Sequence, residues 1–420
     1  MSDSYEINLL DPELMADLRG GFRQLRDGAP VRRGVAMDGT PVWYALGAPE
    51  VRAVLGDARF VTRIPPEPGA DDPLRRNIAS VGIPDEMAVY VTGWLINYNG
   101  AEHARMRKLL SRAFTNRRIA LMRPRIEEIS RALVDDVEAA GPGPVDLLET
   151  FAYPLPVTVI CELVGIPQAD RGDWREWGDA LVAMSPERTP WALKNMVDHV
   201  KEMVKQRRAA PAEDLITSLL QVKEDDQGRL TDDELVTLVV NIVFAGHETT
   251  AHLVANAVSA LLAHPGQLDL LRREPRRWPT AIHELMRLWT PFPISPLRYA
   301  TETVELGGVT IEEGEAVTPI LSSANTDPRE FPDPELFDVT RREGERSDGH
   351  LGFGYGIHRC IGAPLAQIEV ETALPALFQR FPALALAQEP EWIPHPLMIR
   401  QAQLLVSPGS PAGTGGRRGD

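Results

Sequence analysis

Cys360 stands in the stretch Phe353-Gly354-Tyr355-Gly356-Ile357-His358-Arg359-Cys360-Ile361-Gly362-Ala363-Pro364-Leu365-Ala366. Gly354 and Gly356 loosen the backbone ahead of it, Gly362 follows, and an apolar, Ala-rich run with helical spacing begins there. A cysteine on a tight loop at a helix N-terminus meets unpaired backbone N–H groups and the positive end of the helix dipole, and both stabilise a thiolate. That chemistry suits a metal ligand. The plainer alternative is a buried structural cysteine, because free Cys packs as a small hydrophobe. Other metal sites lack ligands. Zinc would need more Cys or His at short spacing, an iron–sulfur cluster four thiolates, and a covalently attached haem the pattern C-x-x-C-H, whereas the second cysteine, Cys161, lies inside an apolar run. For a ligating Cys360 there remains one thiolate on one iron, in a haem held without covalent attachment.

Two further constellations place polar groups where a helix does not need them. Ala245-Gly246-His247-Glu248-Thr249-Thr250 interrupts an apolar helical pattern with a carboxylate and two hydroxyls, which require a reason in a buried helix. A purely structural reason exists: Thr249 bonding back to the Ala245 carbonyl and Glu248 finding a buried base. His103 and Arg107, four apart, project from one helix face and could grip a carboxylate; a solvated basic helix is the alternative. Glu284 and Arg287 can pair at i and i+3, a pattern that on a surface says little.

The cysteine stretch matches F-G-x-G-x-H-x-C-x-G-x-x-L-A at every fixed position, and with it the chain resembles the cytochrome P450 family of haem-thiolate monooxygenases over residues 10–405. The resemblance implies haem b with Cys360 on the iron, Phe353 and Gly362 in the loop that holds it, and His103, Arg107, Arg298 and His358 toward its propionates. It implies a groove for dioxygen at Ala245 and Gly246, a hydrogen bond from Thr249 to that oxygen, and a proton relay through Glu248. O–O scission needs two protons and a push of electron density, which a thiolate supplies. Glu284 and Arg287 match a buried network completed by Arg341, beyond the F-x-x-P-x-x-F segment Phe331-Pro332-Asp333-Pro334-Glu335-Leu336-Phe337. Asn241, Phe244, Ile294 and Met398 match pocket walls, although generic core packing explains the last three equally well. The family's D-P-P ahead of E-H is here Tyr98-Asn99-Gly100-Ala101.

The elements that must position these groups read as mainly α with a minor β portion. Helical patterns cover 12–26, 49–55 and 117–164, the last broken at 141–144, and Pro41 to Leu46 alternates as a strand. Residues 62–95 form a long loop with short helices, anchored by Tyr90, Trp94 and Leu95; loops of this length often cover sites. The segment 174–191, rich in Trp, Met and Pro, is a mobile helix pair or irregular packing. Thr231-Asp232-Asp233-Glu234 is a capping box opening a helix that runs to 264, about 45–50 Å long. Val304 to Ile311 is a glycine-turned hairpin. One domain is expected over 1–406 and a disordered tail over 407–420.

With 44 Lys and Arg against 60 Asp and Glu, the formal charge of −16 argues against general nucleic-acid binding. No signal peptide and no apolar run near the length of a membrane span is evident, so a cytoplasmic monomer without membrane attachment is expected. The expected activity is O2- and NAD(P)H-dependent hydroxylation or epoxidation of a small hydrophobic molecule, with a polyketide or macrolide-like natural product implied by the resemblance. Electrons would arrive from NAD(P)H through a ferredoxin reductase and a ferredoxin. Two alternatives are a non-catalytic, partner-recruiting module of the same fold and partner-independent haem-thiolate chemistry such as peroxide use or isomerisation; Cys360 with Glu248 and Thr249 argues against both. Arg105, Arg107, Lys108, Arg112, Arg117, Arg118, Arg123 and Arg125 form a basic run without acids. It is either a helix face neutralised by neighbouring elements or a patch, on the thiolate side of the haem, for an acidic ferredoxin.

Overall fold

A computed structural model describes residues 7–64, 72–222, 230–341 and 349–411. The chain is mainly helical with small sheets, as expected, and its contacts fall into two compact units. One comprises Met1–Phe60, Met122–Leu155 and Thr249–Asp420; the other comprises Val61–Leu121 and Pro156–Glu248.

The first unit contains a mixed sheet ordered Ile7–Asn8, Val31–Val35, Pro41–Ala45, Ala316–Pro319, Arg298–Ala300 and Phe60–Val61. Alternation sorts its side chains: Val31, Ala45 and Val317 pack with Val51, Val54 and Leu321, while Val42 and Tyr44 pack with Phe22 and Ile320. Val304–Leu306 and Val309–Ile311 pair as the expected hairpin, turned by Gly307 and Gly308 at φ +57° and +86°, which the favoured two-residue turn requires. The helix expected over 12–26 is two, Pro12–Ala16 and Leu18–Gly28. Asp17 leaves helical geometry between them, and its carboxylate accepts from Gly20 N at 2.9 Å, so the break doubles as a cap.

Behind the cysteine, the helix Ala363–Arg380 is tied to Arg123–Ala139 by Arg123–Glu371 at 2.5 Å and by Arg380 Nε to Glu138 at 2.8 Å. It meets Trp278–Trp289 through stacked Trp278 and Phe378, 6.3 Å apart. The expected break follows Ala139, with Gly141 at φ +90°. Leu148–Ala152 is then a π-turn rather than an α-helix. Ser407, assigned to the tail from sequence, ends the strand Leu405–Ser407; residues 412–420 of that tail lie outside the described residues.

In the second unit, Thr189–Ala209 packs on Arg171–Val182 and on Leu215–Leu220, which in turn packs on Gly100–Ala113, and the first half of the long helix Asp232–Ala263 belongs to the same unit. The capping box is present: Thr231 N donates to Glu234 at 2.8 Å and Glu234 N to Thr231 Oγ1 at 3.2 Å. At 32 residues this helix spans about 48 Å. It is long and apolar enough to cross a membrane, contrary to expectation, but 72% of its apolar window is buried in the protein, which makes it a core helix. Its second half, in the first unit, is pinned by Asn256 Nδ2 to the Ile399 carbonyl at 3.1 Å and by Gln401 Nε2 to Ser259 at 3.0 Å.

Candidate active site

The cysteine loop is shaped by its backbone. Gly354 N donates to the Leu351 carbonyl at 2.8 Å, a short 3-10 turn covers Gly356–His358, and Cys360 N donates to the Phe353 carbonyl at 2.8 Å. Gly354 and Gly356 sit at φ +72° and +69°; a Cβ on Gly356 would stand 2.3 Å from the Leu55 carbonyl oxygen, so no other residue fits. Phe353 is buried, His358 half-buried and Cys360 exposed. A Cβ at Gly362 would lie 3.7 Å from Cys360 Sγ, so glycine there leaves that side of the thiol uncovered. The helix starts at Ala363, three residues on, and aims its N-terminal amides at this loop.

A buried network holds the loop from behind. Glu284 accepts from Arg287 Nε at 2.7 Å and Nη2 at 2.8 Å, from Arg341 Nε at 3.0 Å, and from Asp338 N at 3.2 Å. Arg341 is thus the third member foreseen from sequence. Arg287 also donates to the Asn325 carbonyl at 2.8 Å, and Asn325 Oδ1 accepts from Leu351 N at 2.6 Å, which carries the network into the cysteine loop. Asn325 was not anticipated, since nothing in its own surroundings signals the link.

Arg298 lies on the sheet strand Arg298–Ala300, 2% exposed. Its Nη1 donates to the Pro296 and Leu297 carbonyls at 2.8 and 3.2 Å, and burial pushes its pKa down to about 10. Among the described residues no carboxylate pairs with it. A buried guanidinium of this kind suits an anionic group supplied by a ligand.

His103 and Arg107 share a face of Gly100–Ala113, with His103 buried and its pKa lowered by burial and then by Arg107. The Tyr98-Asn99-Gly100-Ala101 approach has its own solution. Asn99 Oδ1 accepts from Thr62 N at 2.8 Å and Asn99 Nδ2 donates to the Arg63 carbonyl at 2.9 Å, so the preceding loop is stitched to the helix start.

In the long helix, Ala245 is exposed between buried Val243 and His247, and Glu248 is 3% exposed. Thr249 is half-buried. Gly246 has a packing reason as well, since a Cβ there would stand 3.2 Å from the Ile160 side chain. Phe244 packs on Trp94 of the 62–95 loop, ring centroids 5.2 Å apart, and Asn241 is half-buried; Ile294 and Met398 are buried in the other unit. Asp179, which sequence reading passed over, has its pKa pushed up to about 6 by burial and then by the charge of Glu248. No local pattern marks it, because its partner is far along the chain. Cys161, given no role, is buried and its thiol pKa is pushed up to about 12, which leaves it inert.

Of the expected residues, Thr249, Arg298, Phe353, His358, Cys360 and Gly362 belong to the first unit, and His103, Arg107, Ala245, Gly246 and Glu248 to the second. The basic run is reduced. Arg105 pairs with Glu234, Arg123 with Glu371, and Arg125 with Glu128 at 2.9 Å, while Arg118 bonds Ser218 and the Glu213 carbonyl. Lys108, Arg112 and Arg117 stay exposed.

A sequence model described as Cytochrome P450 matches residues 187–278 and 279–408. The chain is 40% identical over 369 residues to 6-deoxyerythronolide B hydroxylase of Saccharopolyspora erythraea, covering 87% of this chain and 89% of that one. It belongs to the cytochrome P450 family. Mycinamicin IV hydroxylase/epoxidase of Micromonospora griseorubida is 38% identical over 88% of this P450 and 89% of that protein. Among solved structures, the cytochrome P450 PksS of the Bacillus subtilis bacillaene polyketide synthase superposes with TM-score 0.86 at 29% identity, over 96% of this chain and 100% of that one. This P450 is therefore an oxidoreductase of the monooxygenase type, with haem b as cofactor and electrons drawn from NAD(P)H through ferredoxin reductase and ferredoxin.

Proposed function

We propose that this monooxygenase hydroxylates or epoxidises a polyketide or macrolide-like natural product, with Cys360 as the haem-iron ligand and residues 1–406 acting as one haem-thiolate domain in a cytoplasmic monomer. The exposed Cys360 thiol carries the reading, in a loop whose shape Gly356 and the Glu284 network dictate. Haem b supplies dioxygen activation when bound. The side chains suited to hold it are Arg298, His103, Arg107 and His358 toward its acidic groups and Phe353 against its face. Glu248 passes protons to the Thr249 hydroxyl, which holds them beside the reacting oxygen, while Ala245 leaves room there. Retention of this acid–alcohol pair favours dioxygen chemistry over peroxide use. Asn241, Phe244, Ile294 and Met398 supply walls for an apolar substrate. The related 6-deoxyerythronolide B hydroxylase and mycinamicin IV hydroxylase/epoxidase support a macrolide-like substrate.

Titration of the haem-loaded protein with macrolactones, linear polyketide acids and unrelated hydrophobes, read by the substrate-induced shift of the Soret band, tests the substrate class. Saturable shifts with macrolactones are expected. Shifts confined to unrelated hydrophobes would overturn it.

A further inference from the structure

We infer that, with Cys360 as the haem-iron ligand proposed above, His350 is a positioning residue for the cysteine loop: held in one tautomer by His283, it fixes the peptide and the ring that set the placement of the Cys360 thiolate.

The segment 349–354 lies within the first unit, along the helix Trp278–Trp289. A Cβ on Gly352 would stand 2.6 Å from the Met286 side chain and 3.0 Å from the Met286 carbonyl oxygen, so glycine is what lets the backbone lie so close to that helix. His283 stands one turn back on it. The segment is fastened at several points. The Gly349 carbonyl accepts from Arg52 Nη2 at 2.6 Å, Leu351 N donates to Asn325 Oδ1 at 2.6 Å, and Gly352 N donates to His350 Nδ1 at 3.1 Å. The His350 ring also packs on the Phe353 ring, centroids 5.8 Å apart. Because the Phe353 carbonyl accepts from Cys360 N, His350 acts both on the ring suited to the haem face and on the peptide that holds the cysteine.

The hydrogen bonds fix the protons. Gly352 N–H can only donate, so His350 Nδ1 carries a lone pair and the proton of the neutral ring sits on Nε2. That N–H donates to His283 Nδ1 at 3.2 Å, which places the His283 proton on its own Nε2, toward the Gln367 amide 3.4 Å away. The chain therefore runs in one direction, from His350 through His283 to Gln367. His350 is 5% exposed, so little water replaces a bond lost at either ring nitrogen, and the bond to His283 is what keeps Nδ1 as the acceptor for Gly352.

The test compares the haem-loaded wild type with His350→Leu, His350→Asn, His283→Leu and His283→Asn; each asparagine puts an amide oxygen where Nδ1 accepts. The readouts are the ring-nitrogen NMR shifts, which distinguish a protonated nitrogen from a lone pair, the fraction of the reduced carbon monoxide complex carrying the red-shifted Soret band, and the haem reduction potential. The wild type should show both rings as Nε2–H tautomers. His350→Leu should lose most of the red-shifted band and shift the potential, and His350→Asn should restore both. His283→Leu should leave His350 in mixed tautomers with a reduced band, and His283→Asn should restore the single tautomer. If His350→Leu keeps the wild-type band and potential, the role of His350 is refuted and ligation by Cys360 stands. If His350→Leu takes up no haem, the half-buried His283 decides: a wild-type tautomer, band and potential in His283→Leu refutes the inference. A wild type without the red-shifted band would sink the Cys360 reading and this inference with it.

Discussion

The roles proposed for Cys360 and Thr249 are separable. Cys360→Ser keeps size and loop geometry but replaces a thiolate by a neutral hydroxyl, so the red-shifted Soret band of the reduced carbon monoxide complex should disappear. A retained band with retained turnover would disprove ligation. Thr249→Ala should still bind substrate but divert reducing equivalents to hydrogen peroxide, a loss read as the ratio of product to NAD(P)H consumed. Unchanged coupling would make Thr249 structural. Both residues were legible in sequence because loop and helix motifs are local: the glycines around Cys360 announce a turn, and Glu248 with Thr249 are conspicuous in an apolar helix. Asn325 was not. Its role arises from a hydrogen bond to a distant segment, the cysteine loop.

The elements behind the loop carry its stability. Glu284→Ala would leave Arg287, Arg341 and the Asp338 amide facing a buried void, and removing one partner of a buried ion pair costs about 3–5 kcal/mol. Denaturant unfolding should show that loss, accompanied by faster haem release; an unchanged midpoint would mean that the network does not brace the loop. The cysteine helix carries a second buried acid, Glu369, whose pKa burial raises well above its ordinary 4.5. It is therefore protonated in the fold through a range where the unfolded chain has released its proton, and stability should fall as pH rises through that range. Glu369→Gln should flatten this dependence in melting curves taken at stepped pH. At this scale the sequence was readable wherever a signal was short-range, as in the capping box at Thr231 and the Gly307-Gly308 turn. It misled at Asp17 and at Leu148–Ala152, because hydrophobic spacing does not separate a capped break or a π-turn from a continuous helix.

For the molecule as a whole, charge is the property a partner meets first. On the proposed reading, an acidic ferredoxin is steered by the basic run, in which Lys108, Arg112 and Arg117 are exposed. Electron transfer should slow as ionic strength rises, and Arg112→Glu should slow it further without changing substrate affinity. A flat salt dependence with a silent Arg112→Glu would place docking elsewhere. Of the eight basic residues in the run, sequence could not say which were neutralised, because their acids come from remote elements such as Glu234 and Glu371. The long helix has a consequence for recombination with relatives. It begins in one compact unit and ends in the other, and the first unit is assembled from three separate stretches of chain. A chimera joined once in the middle of the sequence therefore inherits each unit from two parents. Exchange of a whole unit requires simultaneous crossovers near residues 60, 121, 155 and 248, the last inside the helix itself and directly between Glu248 and Thr249.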